Sequence, residues 1–328
     1  MILASLCILG AERRAAGCDI CAIYTATEQR ETRPGFTVGI AEQYSHFGTE
    51  RLDGEEVHLP ADEHMDSSIT QFLIGYAVTP RIALQLDVPF IDRQFTRIRD
   101  HRLDHGSETG AGDMALVANV VAFRTLVGNA VFHFSLLGGL KLPTGNADRL
   151  AEELPSTSGA AAARHGRGAL AAAAPALPEE GGLHGHDLAL GSGSVDGIVG
   201  GQIFWSWGRL FTTAAIQYAV RTTGSFDYHF ANDLTWLGGP GWFMLLGHDY
   251  SLGLQALLAG ETKGNDSQAG VQAHDTAITA LYAGPAISVT WRASLGAELA
   301  VDLPAIQHNT GLQLLPDARV RGGFTWHF

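Results

Sequence analysis

The chain has 328 residues, 46% hydrophobic and only 17% charged, with 40 glycines and a formal net charge of -13. That balance argues against nucleic acid as a partner, because phosphate binding needs clustered Lys and Arg. A helical membrane protein is also excluded. A span needs about 20 apolar residues, and the longest runs, 115–123 and 277–291, are too short or broken by Thr279, Gly284 and Pro285.

Residues 1–17 read as an export signal: a short apolar run over 2–9, then small residues suited to a signal peptidase. The positive start of such leaders is missing, which points to a start inside a longer leader. A buried first strand is the other reading, but Glu12, Arg13 and Arg14 interrupt it at once. Ala15-Ala16-Gly17-Cys18 is superficially like a lipoprotein cleavage box, with Ala15 where leucine is expected. Residues 18–34 then form a periplasmic tail carrying Cys18-Asp19-Ile20-Cys21. With Cys7 removed in the leader, an even pair remains in an oxidising compartment, which favours a disulfide and leaves a soft-metal site open. A second CxxC for zinc is missing, and Ala22 stands where c-type haem attachment needs histidine. No cofactor is expected.

From residue 35 onward the pattern has period two, the mark of strands with one apolar face. Ile82, Leu84, Leu86, Val88 and Phe90 alternate with Ala83, Gln85, Asp87 and Pro89. The same holds for Phe132–Lys141, for Leu295–Leu303 and for the last segment, in which Ala318, Val320, Gly322, Phe324, Trp326 and Phe328 share a face. These runs reach about 10–14 residues, longer than ordinary globular strands and long enough to cross a bilayer at a tilt. Short and long connections alternate. Tight ones fall at 79–81, 126–129, 206–209, 247–250 and 291–294; longer ones at 48–67, 95–109, 145–193, 263–275 and 305–316, with a shorter one near 222–225. Five tight turns and six outer loops require twelve strands. The expected fold is therefore all-β, a closed antiparallel transmembrane β-barrel over 35–328, with short periplasmic turns and long extracellular loops. Closure also satisfies edge hydrogen-bonding groups that lipid cannot. Tyr44, Phe47, Phe95, Trp205, Trp207, Tyr218, Phe226, Trp291 and Trp326 are expected in interfacial girdles. Phe328 closes an amphipathic strand, as the signal read by the outer-membrane assembly machinery does.

Several segments, in order and spacing, resemble the bacterial outer-membrane barrels of the meta-pathway phenol-degradation or transporter family. They are Gly110-Ala111-Gly112-Asp113, Lys141-Leu142-Pro143-Thr144-Gly145, Leu190-Gly191-Ser192-Gly193-Ser194-Val195-Asp196, Tyr282-Ala283-Gly284-Pro285, and Asn309-Thr310-Gly311-Leu312-Gln313-Leu314. The resemblance runs from about Phe36 to Phe328. It implies the cell outer membrane and the barrel fold, with lipid and lipopolysaccharide around it, and leaves the solute open. Physically, Pro143 and Gly145 end a strand, because proline lacks the ladder donor.

Projecting alternate residues inward gives a mixed polar lumen that includes Asp87, Asp113, His133, Lys141, Gln217, Arg221, Glu298, Asp302, Arg319 and Arg321. Twelve strands stand between a filled barrel and a water-filled one. A salt-bridged plug and a pore both remain open, and in a pore Arg319 and Arg321 facing Glu298 and Asp302 would set a transverse field. The 146–192 connection reads as a long extracellular loop, Ala/Gly/Pro-rich and flexible around 159–180. It carries His184-Gly185-His186-Asp187, whose imidazoles suit copper or zinc. The first outer loop is acidic: Glu50, Asp53, Glu55, Glu56, Asp62, Glu63 and Asp66, with His58 and His64, a set suited to calcium or magnesium or simply to solvent. His133 and Ser135 share a face without an orienting amide, and that face points inward, so no enzymatic role is expected. The functional expectation is an outer-membrane channel or transporter for a small solute, hydrophobic or aromatic. The alternative is a non-conducting surface protein that binds a metal or holds a periplasmic partner through its cysteine-bearing tail.

Overall fold

The structure is a computed structural model describing residues 34–59, 61–154, 180–292 and 294–328. The expected leader, the tail with Cys18 and Cys21, and the middle of the third outer connection lie outside the described residues.

Twelve antiparallel strands form one closed sheet: β1 Gly35–Leu52, β2 His64–Thr79, β3 Ile82–Arg99, β4 Ala115–Val127, β5 Ala130–Lys141, β6 Asp196–Trp207, β7 Leu210–Val220, β8 Asp233–Leu246, β9 Tyr250–Lys263, β10 Ile278–Trp291, β11 Leu295–Asn309 and β12 Leu312–His327. Neighbours in sequence are neighbours in the sheet, and β1 closes on β12 from Thr37↔His327 to Leu52↔Leu312. Two further strands join this sheet at its outer rim, Glu55–Glu56 on β1 and Arg102–Ala111 on β3. A separate three-stranded piece, Tyr228–His229 with Ser267–Gln268 and Val271–Gln272, links the fourth and fifth outer connections.

The five tight turns lie between the strands as expected. Gly128 and Gly208 hold left-handed backbone (φ 58° and 59°) in two of them, where a side chain would strain the hairpin. Two of the long outer loops are instead strand. The expected 305–316 loop is a hairpin turning at Thr310 and Gly311, with β11 and β12 running up to it. Pro316, which looks like a breaker, sits opposite Phe47 where β1 and β12 shift register on both sides, and a bulge tolerates the missing donor. Likewise β3 runs on to Arg99 and returns along Arg102–Ala111, with Asp100 and His101 both at positive φ in the turn.

The period-two pattern sorts side chains between lipid and lumen. On β2, Phe72, Ile74 and Tyr76 are exposed outward, whereas Ser67, Ile69, Gln71 and Leu73 are buried inward. On β11, Leu299 and Leu303 face out, and Ala300 and Asp302 face in. An uninterrupted exposed apolar belt on a closed sheet is stable only against lipid. Two expected girdle residues are corrected: Phe47 and Phe95 are buried inside, because each shares the parity of an inward neighbour, Ser45 or Arg93. The lumen wall is also less polar than expected. Ile69, Leu73, Ile91, Val117, Ile198, Phe211, Phe243 and Leu257 are buried on it. Near the tight-turn end, the Phe211 ring lies over Gly241, where an added Cβ would approach it to 2.2 Å, and packs on Phe243 with ring centroids 4.5 Å apart.

Candidate functional site

The described limbs of the third outer connection, between β5 and β6, lie in the barrel mouth. Its first limb holds a 3-10 turn at Asp148–Glu153, and its second a single helical turn, α1, at Gly185–Leu188. Both described limbs fold inward instead of standing out in solvent. Leu183 and Leu188 pack against Phe47, Met65, Phe95 and Leu314, and Leu190 reaches Ile69 and Ile91 on the wall. Leu150 and Ala189 pack against Tyr228 and Phe230. Backbone pins hold the limbs. The Asp113 carboxylate accepts the Gly145 N–H at 3.0 Å and the Ser192 N–H at 2.9 Å. Glu63, from the acidic first loop, accepts the Gly182 N–H at 2.7 Å and the Ile98 N–H at 2.5 Å, so this carboxylate is committed to the fold and not to solvent. Glu50 similarly accepts the Leu59 N–H at 2.9 Å.

Beneath the insert, on the wall of β4 to β8, runs a buried chain of charges. Lys141 Nζ lies 2.5 Å from Asp113 and 3.0 Å from Asp196, and Arg221 lies 3.0 Å from Asp196 and 2.7 Å from Asp233. Lys141 also donates to the Ser192 hydroxyl. On the opposite wall, Arg321 pairs with Asp302 at 2.8 Å. Arg319 reaches past β11 and β10 to Glu261 on β9, through two hydrogen bonds of 2.8 and 3.2 Å, with its guanidinium 4.1 Å over the Tyr282 ring. Asp302 stands directly opposite Arg319 across β11 and β12, yet Arg321 takes it and Arg319 takes Glu261. Asp87 and Gln217 are buried on the wall away from these chains, and His133 contacts Ser135 at 3.1 Å.

Between insert and wall lies a narrow cleft of about 30 Å³, partly open to solvent. Its lining joins apolar Phe47, Met65, Ile278, Leu314 and Leu315 with Arg93, Glu261, Lys263, Arg319, His186 and Asp187. His186 is buried in its lining. Burial alone would lower its pKa, but Asp187 and Glu153 outweigh that and push it up to about 10. Glu153 is correspondingly held down at about 2, against its own burial, by His186 and His184.

Among solved structures, the chain is similar to the COG4313 outer membrane channel from Pseudomonas putida F1, 15% identical with a TM-score of 0.57, over 90% of this chain and 96% of that one. The fold is that of an outer-membrane β-barrel. Looser overlaps include a Pseudomonas aeruginosa FadL homologue (9% identity, TM-score 0.32, 89% of each chain) and the CymD monoaromatic hydrocarbon channel (8%, 0.36, 90% of this chain and 89% of that one). No family model and no curated protein matches the chain.

Within that barrel, the sequence reading missed Arg93, Asp233, Glu153 and Asp275 as site residues. Arg93 was detectable, since it continues the inward parity of Asp87, Pro89 and Ile91 on β3. Glu153 and Asp275 carry no local signal, because they reach the site from connections far apart in sequence.

Proposed function

We propose that this barrel is a passive outer-membrane channel for a small hydrophobic or aromatic solute. The cleft under the insert carries the reading. It lines one space with Phe47, Met65, Leu314 and Leu315 and with the ion-paired Arg319 and Glu261, inside a barrel whose outer face is apolar. Small-molecule sites combine such apolar walls with a few fixed polar groups that orient the ligand. A planar, weakly polar solute can lie on the apolar residues and offer one polar atom to the guanidinium, whereas a sugar would leave most of its hydroxyls against hydrocarbon.

The test is uptake into liposomes carrying the purified barrel, comparing benzyl alcohol with a pentose, alongside planar-bilayer recording. Benzyl alcohol should enter faster than through protein-free vesicles, and Leu314→Asp should remove that excess. Equal entry of both solutes would make the barrel a non-selective pore. Silence in both assays would leave the non-conducting surface protein as the better reading.

A further inference from the structure

The roof of the cleft holds two histidines arranged differently from an ordinary buried pair. The His184 and His186 rings stack with centroids 5.4 Å apart and planes 10° from parallel. Each ring has a carboxylate on one nitrogen. Glu153 Oε1 lies 3.0 Å from His186 Nδ1 and also accepts the His186 backbone N–H at 2.8 Å, while Asp275 Oδ2 lies 3.6 Å from His184 Nε2. The other two nitrogens, His184 Nδ1 and His186 Nε2, both point to Asp187, at 3.9 Å from its Oδ2 and 3.3 Å from its Oδ1. One ligand atom from each of His184, His186 and Asp187 lies within 4.8 Å of the others, and this is the sole group of its kind among the described residues.

Glu153 and Asp187 account for both nitrogens of His186. His184 differs: Asp187 Oδ2 accepts its backbone N–H at 3.0 Å, but its ring Nδ1 is buried and has no hydrogen-bond partner. An unmet nitrogen acceptor in a buried site costs free energy unless a ligand completes it. A carboxylate hydrogen-bonded to the far nitrogen, as Glu153 is to His186, is what metal-binding histidines use, because the accepted N–H fixes the tautomer and leaves the lone pair on the other nitrogen. Asp275 faces His184 Nε2 at the longer distance of an ion-pair contact.

We propose that His184, His186 and Asp187 form a binding site for one borderline divalent cation of the zinc type. Two imidazole nitrogens and one carboxylate oxygen are three of the four ligands of a tetrahedral site, and the set has too few oxygens for calcium or magnesium. Glu153 and Asp275 are positioning residues, acting through the two imidazoles. The fourth position faces the cleft, which His186 and Asp187 themselves line. Because Glu153 lies on the first limb of the insert and α1 on the second, the ion would lock the two limbs together across the mouth.

The experiment uses the full barrel with Cys18→Ser and Cys21→Ser, so that tail thiols cannot contribute. It is chelator-stripped in detergent and titrated calorimetrically with Zn²⁺ alone. One ion per barrel is expected, weakened at least about a hundredfold by His184→Gln or Asp187→Asn and about tenfold by Glu153→Gln. His248→Gln, at an exposed turn, should leave it unchanged. Heat-dependent gel mobility checks that each variant is a folded barrel. Co²⁺ in the parent should give tetrahedral visible bands without thiolate charge transfer, a readout that needs no variant. A folded parent that binds no Zn²⁺ at micromolar concentration overturns the proposal, as does binding that His184→Gln leaves intact.

Discussion

Arg93, buried at 0% exposure on the inner face of β3, donates through Nη1 to the backbone carbonyl of Ala189 at 2.9 Å. A guanidinium of the barrel wall is thereby fixed to the chain that lies in the mouth, and its Nε reaches the Ser67 hydroxyl at 3.4 Å. The contact is polar, yet it lies beside the Ile69–Ile91–Leu190 cluster, so the insert is held by apolar packing and directed by a charged donor. Replacing it with Arg93→Met keeps the stem and removes the donor. An unpaired buried carbonyl costs about 1–3 kcal/mol, and the loss should fall on the insert, not on the barrel ladder. The expected result is faster proteolysis within the third connection at unchanged heat-shift of the barrel in gels. Identical cleavage rates would mean that the apolar contacts alone hold the insert.

The chain Asp113–Lys141–Asp196–Arg221–Asp233 joins strands from β5 to β8 to the foot of the insert, with two cations among three carboxylates. Lys141→Met would leave Asp113 buried without a cation and Asp196 with Arg221 alone. Removing one partner of a buried pair typically costs about 3–5 kcal/mol, because the remaining charge has lost its compensation. Urea unfolding followed by tryptophan fluorescence should show that drop, and Lys141→Met combined with Asp113→Asn should recover part of it. A single variant as stable as the parent would show that water reaches the network.

Acid should loosen the insert before the barrel. Glu152, in the 3-10 turn, pairs with Arg97 at 2.9 Å, Arg99 at 2.7 Å and Arg149 at 2.6 Å. Burial raises its pKa, but the hydrogen bonds from Arg97 and Arg149 outweigh this and hold it below the ordinary glutamate value of 4.5. A carboxylate lowered in the folded state stabilises it fully above the unfolded value, and that contribution disappears as pH falls through the folded one. Protease sensitivity of the third connection should therefore be flat above pH 5 and rise below the ordinary glutamate range. Glu152→Gln should be sensitive at every pH. A parent whose cleavage does not change down to the acid limit of the barrel would exclude this cluster as the clasp.

The strands were legible because lipid on one side and lumen on the other enforce a strict period of two, and Ile82 to Phe90 shows it unaided. The same rule, applied without exception, would have put Phe47 and Phe95 inside; reading them as girdle aromatics weighted residue type over parity. The segments 95–109 and 305–316 looked like loops because charge and proline usually end strands in water. Inside this barrel a bulge absorbs Pro316 and the insert absorbs Arg97 and Arg99. The inward fold of the third connection was not legible at all. Leu183, Leu188 and Leu190 have no period to announce burial, and their partners on β1, β2, β3 and β12 are set by closure of the sheet. For the same reason the His184–His186–Asp187 motif was visible as a triplet, whereas Glu153 and Asp275, which orient it, were not.

The environment outside the barrel can be read with two leucines of similar exposure. Leu299 is 53% exposed on β11, the fifth residue from the tight-turn end, and Leu103 is 48% exposed on the Arg102–Ala111 strand. A tilted strand crosses the hydrocarbon in about 9–11 residues, which puts Leu299 near the middle. Leu103 pairs with Ile98, well beyond that length from the start of β3 at Ile82. Arginine on the lipid face costs roughly 2–4 kcal/mol at the midplane and about 0–1 near the interface. Leu299→Arg should therefore lower the unfolding free energy of the barrel refolded in lipid vesicles by an amount in the first range, and Leu103→Arg by an amount in the second. Equal losses in the two variants would mean that Leu299 does not face hydrocarbon, and the outer face of β11 would have to be covered by protein.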